Sequence, residues 1–322
     1  MVISKPDDCL RVLNEFESGL LQVLDSLLQK VKTKPEPQTL FHYTNDSGLH
    51  GILESGKLRL SNIFSLNDPS EIGHGLSHAT AILNEQTSNG TPQVKDFANN
   101  FSRFCQNGMS KSAYFFVCSF STNEHDLGQW RAYADNGRGY ALEFEANPLA
   151  ASFASLDGGA DEHRNNTFHM RYNDDEIKEI HRQLVTLCVP LISLPSERPC
   201  NSLSADDYWL HLGAVLSMYT LETALYFKHE AYVNESEFRF LEIFERGEDP
   251  KVNWRARSNE LVSYRDFNWR GIHPKVLKRI IIGPAANRAK AEHFVKECLT
   301  AYHPVKEGEV EISFCGIPYR AM

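Results

Sequence analysis

The spacing of apolar positions predicts that the chain begins with an amphipathic helix. From about Asp8 to Lys32, apolar residues recur at helical spacing on one face, namely Leu13, Phe16, Leu20, Leu24, Leu27 and Val31. The helix is expected to end before the proline-containing segment 34–37, which we interpret as a stiff linker. The apolar stripe indicates core packing, with a homodimer contact through this helix as the alternative.

The next pattern predicts a strand, a short helix and a second strand. Residues alternate in the first strand, so that Phe41 and Tyr43 lie on one face and His42 and Thr44 on the other. The helix and the second strand follow between residues 48 and 60. A histidine in this position is either a hydrogen-bonded core residue or a site residue.

The remaining pattern mixes helices and strands without an internal repeat. Helices are predicted at about 69–83, 93–106, 174–189, 206–228 and 287–301, and strands at 112–120, 140–145, 235–241, 278–282 and 310–314. Residues 155–168, rich in Gly, Asp and Asn, are expected to form a mobile loop. This order predicts an α+β fold in which residues 38–322 form one domain after the helix and linker of residues 1–37.

Composition excludes several classes of protein. The 322 residues are 42% hydrophobic and 23% charged, which is ordinary for a globular protein, and no stretch is apolar enough for a membrane span. Seven scattered cysteines without Cys-x-x-Cys spacing predict reduced thiols and a cytoplasmic location. The net charge of −9 disfavours general nucleic-acid affinity, although residues 246–306 carry 13 Lys/Arg against 6 Asp/Glu. That basic segment is either a solvated surface or a surface facing phosphates.

One group of polar residues suggests chemistry at a sugar. Alternation from Glu235 onward predicts that Glu235, Glu237 and Arg239 share one face of a strand. A carboxylate beside His42 could stabilise a sugar cation, and serine hydroxyls such as those of Ser119 and Ser121 could hold ribose hydroxyls. Flat rings could stack on the aromatic side chains Tyr43, Trp130 and Tyr133.

A second group has the spacing of metal ligands. Glu71, His74 and His78 are three and four residues apart, so they would share one face of a helix. However, a helix start with Asp68 as N-cap and Glu71 in a capping box already explains these two acids. The sequence also has no second helix with the Glu-x-x-His spacing that would supply further ligands. We therefore predict no metal site and keep a metal-dependent hydrolase as an alternative.

Several strings resemble a bacterial family of unassigned function, DUF2971. They are Phe41-His42-Tyr43-Thr44, Gly51-Ile52-Leu53-Glu54-Ser55-Gly56-Lys57-Leu58, Asn67-Asp68-Pro69-Ser70-Glu71, Cys118-Ser119-Phe120-Ser121, Trp130-Arg131-Ala132-Tyr133-Ala134, Gly139-Tyr140-Ala141-Leu142-Glu143-Phe144, Glu235-Ser236-Glu237-Phe238-Arg239 and Ile281-Ile282-Gly283-Pro284. They occur in order over residues 38–284. The N-terminal helix lies outside this resemblance.

The order of these parts is also similar to that of the ADP-ribosyltransferase superfamily. That resemblance implies a split β-sheet core with surrounding helices, and NAD as the substrate. It implies that His42 binds a ribose hydroxyl of NAD, that Ser119 and Ser121 shape the nicotinamide pocket, and that Glu237 is the catalytic acid. Glu235 would assist the acceptor.

The expected cofactor-binding set comprises His42, Tyr43, Thr44, Ser119, Ser121, Trp130, Arg131 and Tyr133. The sequence thus predicts an NAD-dependent ADP-ribosyltransferase, or an NAD glycohydrolase, acting on an unidentified protein or nucleic acid. The main alternative is a non-catalytic binding module in which the charged residues of 235–239 form a surface ion ladder. Convergence of His42, Ser121 and Glu237 would favour the transferase, and convergence of Glu71 and His74 with another acid would favour the hydrolase.

Overall fold

The structure, a computed structural model, describes most of the chain. The described residues are 8–32, 36–65, 70–107, 114–156, 165–197, 203–244, 248, 250–257, 259–270, 276–302 and 310–321. In chain order the elements are α1 (Asp8–Lys32), β1 (Thr39–Thr44), α2 (Asp46–Ser55), β2 (Lys57–Asn62), α3 (Ser70–Thr87), α4 (Pro92–Asn107), β3 (Tyr114–Ser121), α5 (Leu127–Tyr133), β4 (Tyr140–Glu145), α6 (Ala146–Ala154), β5 (Asn165–His169), α7 (Asp174–Ile192), α8 (Leu194–Glu197), α9 (Ala205–Ala224), β6 (Glu237–Phe244), β7 (Asn253–Arg257), β8 (Glu260–Asn268), β9 (Leu277–Ile282), α10 (Arg288–Tyr302) and β10 (Glu311–Phe314). The α+β class is confirmed.

The chain divides into two compact units. Residues 1–34, 67–113 and 171–230 form the first unit, and residues 35–66, 114–170 and 231–322 form the second. Residues 67–113 and 171–230 group with α1 in these units, and the division into residues 1–37 and one domain over 38–322 stays a prediction. Apolar periodicity shows which face of a helix is buried and not which helices cover it, so this grouping had no signal in the sequence.

The first unit is helical in its described residues. The apolar stripe of α1 is buried as predicted, with Leu13 2%, Leu20 0% and Leu27 1% exposed. Its partners are α7 and α9 of the same chain. The stripe therefore supplies core packing, the first of the two interpretations given above.

The second unit is built on a ten-stranded, mostly antiparallel sheet. The strand order is β10-β9-β4-β1-β3-β2-β8-β7, and β6 pairs with β3 and β5 off this path. One face carries the large apolar core, including Phe116, Phe120, Leu142 and Phe240. Phe41 lies in a smaller core on the opposite face.

The sheet opens at one point on the edge of β3. On one side β3 pairs with β6 along its whole length, from Tyr114 to Ser121. On the other side it pairs with β1 only at Ser121 and with β2 only at Phe116 and Val117. Residues 118–120 thus have no strand partner on that edge among the described pairings, and β1 and β2 diverge there.

Two expectations about β6 and its neighbours were wrong. Glu235 was expected on the strand, but it ends a 3-10 turn over Glu230–Glu235, and Ser236 follows with a left-handed φ of 45°. The alternation therefore begins only at Glu237, and the two glutamates are not strand neighbours. The segment 155–168 was expected to be a loop, yet residues 165–169 form β5 and pair with β6. Its Asn-rich composition hid the strand.

Three further features were missed or mistaken. The hairpin of β7 and β8 was not predicted, because β7 has no buried apolar residues and the consecutive Arg265 and Asp266 interrupt the apolar pattern of β8. Strand β4, whose alternation predicts a strand half-open to solvent, is covered on both faces, because Leu142 and Phe144 lie in the large core and Ala141 lies in the smaller core. The cysteines Cys105, Cys118, Cys188, Cys298 and Cys315 are free thiols as expected, whereas Cys9 is disulfide-bonded.

No helix within the described residues has both the length and the apolar character needed to cross a membrane. The helix start expected at Asp68 lies outside the described residues, and so does the side chain of Glu71.

Candidate functional site

The polar residues predicted on β3 and β6 meet on one face of the sheet. Antiparallel register pairs Ser119 with Arg239 and Ser121 with Glu237. The Ser119 hydroxyl donates a 2.6 Å hydrogen bond to Glu237 Oε1. We call Ser119, Glu237 and Arg239 the Glu237 centre.

Arg239 holds the same carboxylate oxygen from within its own strand. Its Nε donates to Glu237 Oε1 at 2.9 Å, and a terminal nitrogen lies 2.7 Å from that oxygen. The side chains of Arg239 and Glu237 are 1% and 5% exposed. Desolvated charges survive only when they are paired and hydrogen-bonded, so the centre is a buried carboxylate–guanidinium pair with one hydroxyl donor.

Ser121 forms hydrogen bonds to the main chain near the start of β6 and not to the Glu237 carboxylate. Its hydroxyl donates to the main-chain oxygen of Glu235 at 2.8 Å and accepts from the Asn123 amide at 3.0 Å. The neighbouring Thr122 amide bonds to the main-chain oxygen of Ser236 at 3.0 Å. These bonds hold the left-handed turn at Ser236 that delivers Glu237 to the sheet.

His42 enters the same region from the other side of the sheet. Its register partner on β4 is Leu142, and its ring lies 5.6 Å from that of Phe120, so its side chain belongs to the face of the large core. His42 and Glu237 therefore lie on opposite faces of the sheet, and the convergence of His42, Ser121 and Glu237 on one cleft stays a prediction. His42 Nδ1 lies 3.3 Å from the main-chain oxygen of Ser119, within the opening between β1 and β2.

The protonation of His42 follows from this contact. Burial lowers the pKa of His42 below its ordinary value, and the hydrogen bond to Ser119 opposes this with a smaller effect. The imidazole is thus neutral near pH 7. Because a carbonyl oxygen only accepts, Nδ1 carries the proton and Nε2 is left as an acceptor.

The aromatic residues proposed for stacking have different environments. Trp130 is fully buried, and its ring lies edge-on to Tyr43 at 5.0 Å between centroids. The Tyr43 hydroxyl donates to the Asn123 main-chain oxygen at 2.8 Å. These two rings build the smaller core, whereas Tyr133 and Arg131, in the last turn of α5, are exposed. Thr44, half-buried, ends β1 next to the N-cap of α2.

A second group of ionisable residues meets in the helical unit. His74 Nε2 lies 2.9 Å from Asp174 Oδ1, and His78 Nε2 lies 4.0 Å from Asp174 Oδ2. The sequence singled out the two histidines but missed Asp174. Asp174 opens α7 together with Asp175 and Glu176, and no pattern distinguishes it from the other two acids.

Comparison with known proteins gives one match. A family model described as a protein of unknown function (DUF2971) matches residues 129–240, from within α5 to within β6. This part of the chain, which includes Glu235, Glu237 and Arg239, is similar to that uncharacterised domain family. No curated protein and no solved structure matches the chain.

Proposed function

We propose that the chain is an NAD-dependent ADP-ribosyltransferase, or an NAD glycohydrolase, with the Glu237 centre as its reactive site. One observation carries the proposal: where β1 and β2 diverge, His42 and Glu237 both bind Ser119, one through its carbonyl and the other through its hydroxyl. Three of the residues that the superfamily resemblance singles out, His42, Ser119 and Glu237, are thus linked at one opening in the sheet, although His42 reaches it from the other face.

The chemistry suits a buried carboxylate. Cleavage of the bond between ribose C1′ and nicotinamide sends the bonding electron pair to the nicotinamide nitrogen and leaves positive charge on the ribose. An ionised carboxylate shielded from water stabilises that charge far better than an exposed one. An acceptor hydroxyl or water then forms the new bond to C1′ and gives up its proton.

The neighbouring groups have roles consistent with this reaction. Neutral His42 offers Nε2 as an acceptor for a ribose hydroxyl, and the exposed Tyr133 and Arg131 offer a ring and a positive charge to the nucleotide. Glu235, in the turn before β6, is half-buried and would assist the acceptor, a protein or a nucleic acid. NAD is a substrate here and not a resident cofactor.

The test uses two glutamates of the same strand. Glu237→Gln keeps the shape and removes the charge, which we expect to reduce NAD turnover on the order of a thousandfold, or several kcal/mol of barrier. Glu242→Gln is the matched control, because Glu242 is fully buried on the opposite face of β6 and bonds to Arg265 at 2.7 Å. Nicotinamide release from labelled NAD, with a cell lysate as the source of acceptor, is measured for both variants.

The two outcomes separate catalysis from structure. Loss of turnover in Glu237→Gln with retention in Glu242→Gln supports the proposal. Equal, clearly measurable turnover in the wild type and Glu237→Gln would refute it. An absence of NAD binding at millimolar concentration in calorimetry would also end it and leave the non-catalytic binding module, in which Glu237 and Arg239 only form an internal ion pair.

A further inference from the structure

Two histidines and one aspartate in the helical unit form a compact set of potential metal ligands. His74 and His78 lie one turn apart on α3, and Asp174 is the first residue of α7. One ligand atom from each residue can be chosen so that all three lie within 4.8 Å of one another. We call His74, His78 and Asp174 the His–Asp cluster.

We propose that the His–Asp cluster binds one divalent transition-metal ion of the zinc type. Two imidazole nitrogens and one carboxylate oxygen are donors that zinc prefers, whereas calcium and magnesium require mainly oxygen donors. Tetrahedral coordination at about 2.0–2.1 Å would place the ligand atoms about 3.3 Å apart. The two distances from histidine nitrogens to the Asp174 carboxylate, 2.9 Å and 4.0 Å, bracket that spacing, and all three ligand atoms lie within 4.8 Å of one another.

The backbone near the cluster is fixed by close helix packing. A Cβ atom added to Gly75, between the two histidines, would lie 2.6 Å from the Ala224 Cβ and 3.3 Å from the Ile177 Cδ1. Only glycine lets α3 approach α9 and α7 this closely. The histidines are therefore presented to Asp174 by a rigid contact and not by a mobile loop.

The orientation of His78 indicates a missing partner. Its Nε2 is buried and has no hydrogen bond within the described residues, although it faces the Asp174 carboxylate. A buried polar atom without a bond costs free energy, and a metal ion between Nε2 and the carboxylate would remove that cost.

The cluster leaves room for a further ligand. Three protein ligands leave at least one coordination position for water or a further residue. The ring of the exposed His229 lies 5.0 Å from that of His74 and is a neighbouring fourth donor.

The experiment is a zinc titration of the full chain after removal of any affinity tag and treatment with a chelator. We expect one equivalent of zinc to bind in calorimetry and to raise the thermal midpoint. Cobalt should bind in its place with visible absorption of a nitrogen- and oxygen-ligated tetrahedral ion, and magnesium in excess should not compete. Asp174→Asn and His78→Gln should each weaken zinc binding by about a hundredfold or more, since losing a ligand costs at least as much as losing a residue that orients one.

The control is an exposed histidine that also lies beside a carboxylate. His293 Nε2 is 3.4 Å from Glu297 Oε1 on α10, and both side chains are largely exposed. His293→Gln should leave zinc binding unchanged. If the wild type binds no zinc in tenfold excess, or if Asp174→Asn binds it as tightly as the wild type, the proposal is wrong. Because Asp174 is half-exposed, its asparagine variant should fold even if His78→Gln does not.

Discussion

Removing the guanidinium of Arg239 tests how the Glu237 centre is held together. In Arg239→Met the side chain keeps most of its apolar volume, but the Glu237 carboxylate loses two donors to the same oxygen, at 2.9 Å and 2.7 Å. With the pair 1% and 5% exposed, water cannot replace those donors. Breaking a buried ion pair in this way should lower the free energy of unfolding by about 3–5 kcal/mol.

The loss should depend on pH in a defined direction. Without Arg239, burial raises the pKa of Glu237 in the folded state above its unfolded value, so the folded state binds the proton more tightly. The variant should therefore recover stability as the pH falls through that raised pKa toward the unfolded value. Glu237→Gln combined with Arg239→Met should remove the pH dependence and be more stable than Arg239→Met alone.

Urea unfolding of the single and double variants at several pH values measures both effects. Arg182→Met is the control, since Arg182 bonds to Glu179 at 2.6 Å with both side chains more than half exposed, and it should change stability by less than about 0.5 kcal/mol. A loss in Arg239→Met no larger than in this control would refute the buried-pair account.

Three further predictions concern other parts of the chain. Burial lowers the pKa of His181 to about 3, so between pH 6.5 and about 3 only the unfolded state gains a proton. The free energy of unfolding should therefore fall with decreasing pH in this range by up to about 1.4 kcal/mol per pH unit, and His181→Leu should flatten that slope in urea unfolding. Gly139→Ala should cost about 1–3 kcal/mol, because its Cβ would lie 2.2 Å from the Thr44 main-chain oxygen, whereas Gly51→Ala in α2 meets no atom within 4 Å and should not destabilise. In zinc calorimetry, His229→Ala should weaken binding by about tenfold or more if its imidazole is a fourth ligand, and unchanged affinity would show that water completes the site.

The sequence predicted helices and strands well where the pattern of apolar residues alone indicates how the element is buried. The stripe on α1 has helical periodicity, so its buried face followed from the spacing, and the continuous apolar run of β3 indicated a buried strand. Strand β6 shows the limit of this reasoning. The alternation of Glu235, Glu237 and Arg239 continues across a turn, and only the left-handed φ at Ser236 shows that Glu235 is outside the strand.

The sequence did not show which strands and helices lie next to one another. Alternation placed Phe41 and His42 on opposite faces correctly, but it could not show that β1 leaves β3 after one residue pair or that His42 contacts the main-chain oxygen of Ser119 there. Likewise, His74 and Asp174 are 100 residues apart, and helix packing alone brings them together. The capping box near Glu71 drew attention to a local partner, when the acid that His74 contacts comes from another helix.

The two buried ion pairs of β6 differ in what they can contribute to stability. Glu242 bonds to Arg265 on β8, so that pair links two strands that are not neighbours in the sheet. Glu237 and Arg239 lie on the same strand, and their bond connects no two elements. The bond from Ser119 joins β3 to β6, which already pair along their whole length. Glu237 bonds to Ser119 at the opening between β1 and β2, whereas Glu242 is the register partner of Phe116, where β3 pairs with β2. Buried charged groups beside an opening are candidates for chemistry, and this is why Glu237, and not Glu242, is the residue on which we base the proposed reaction.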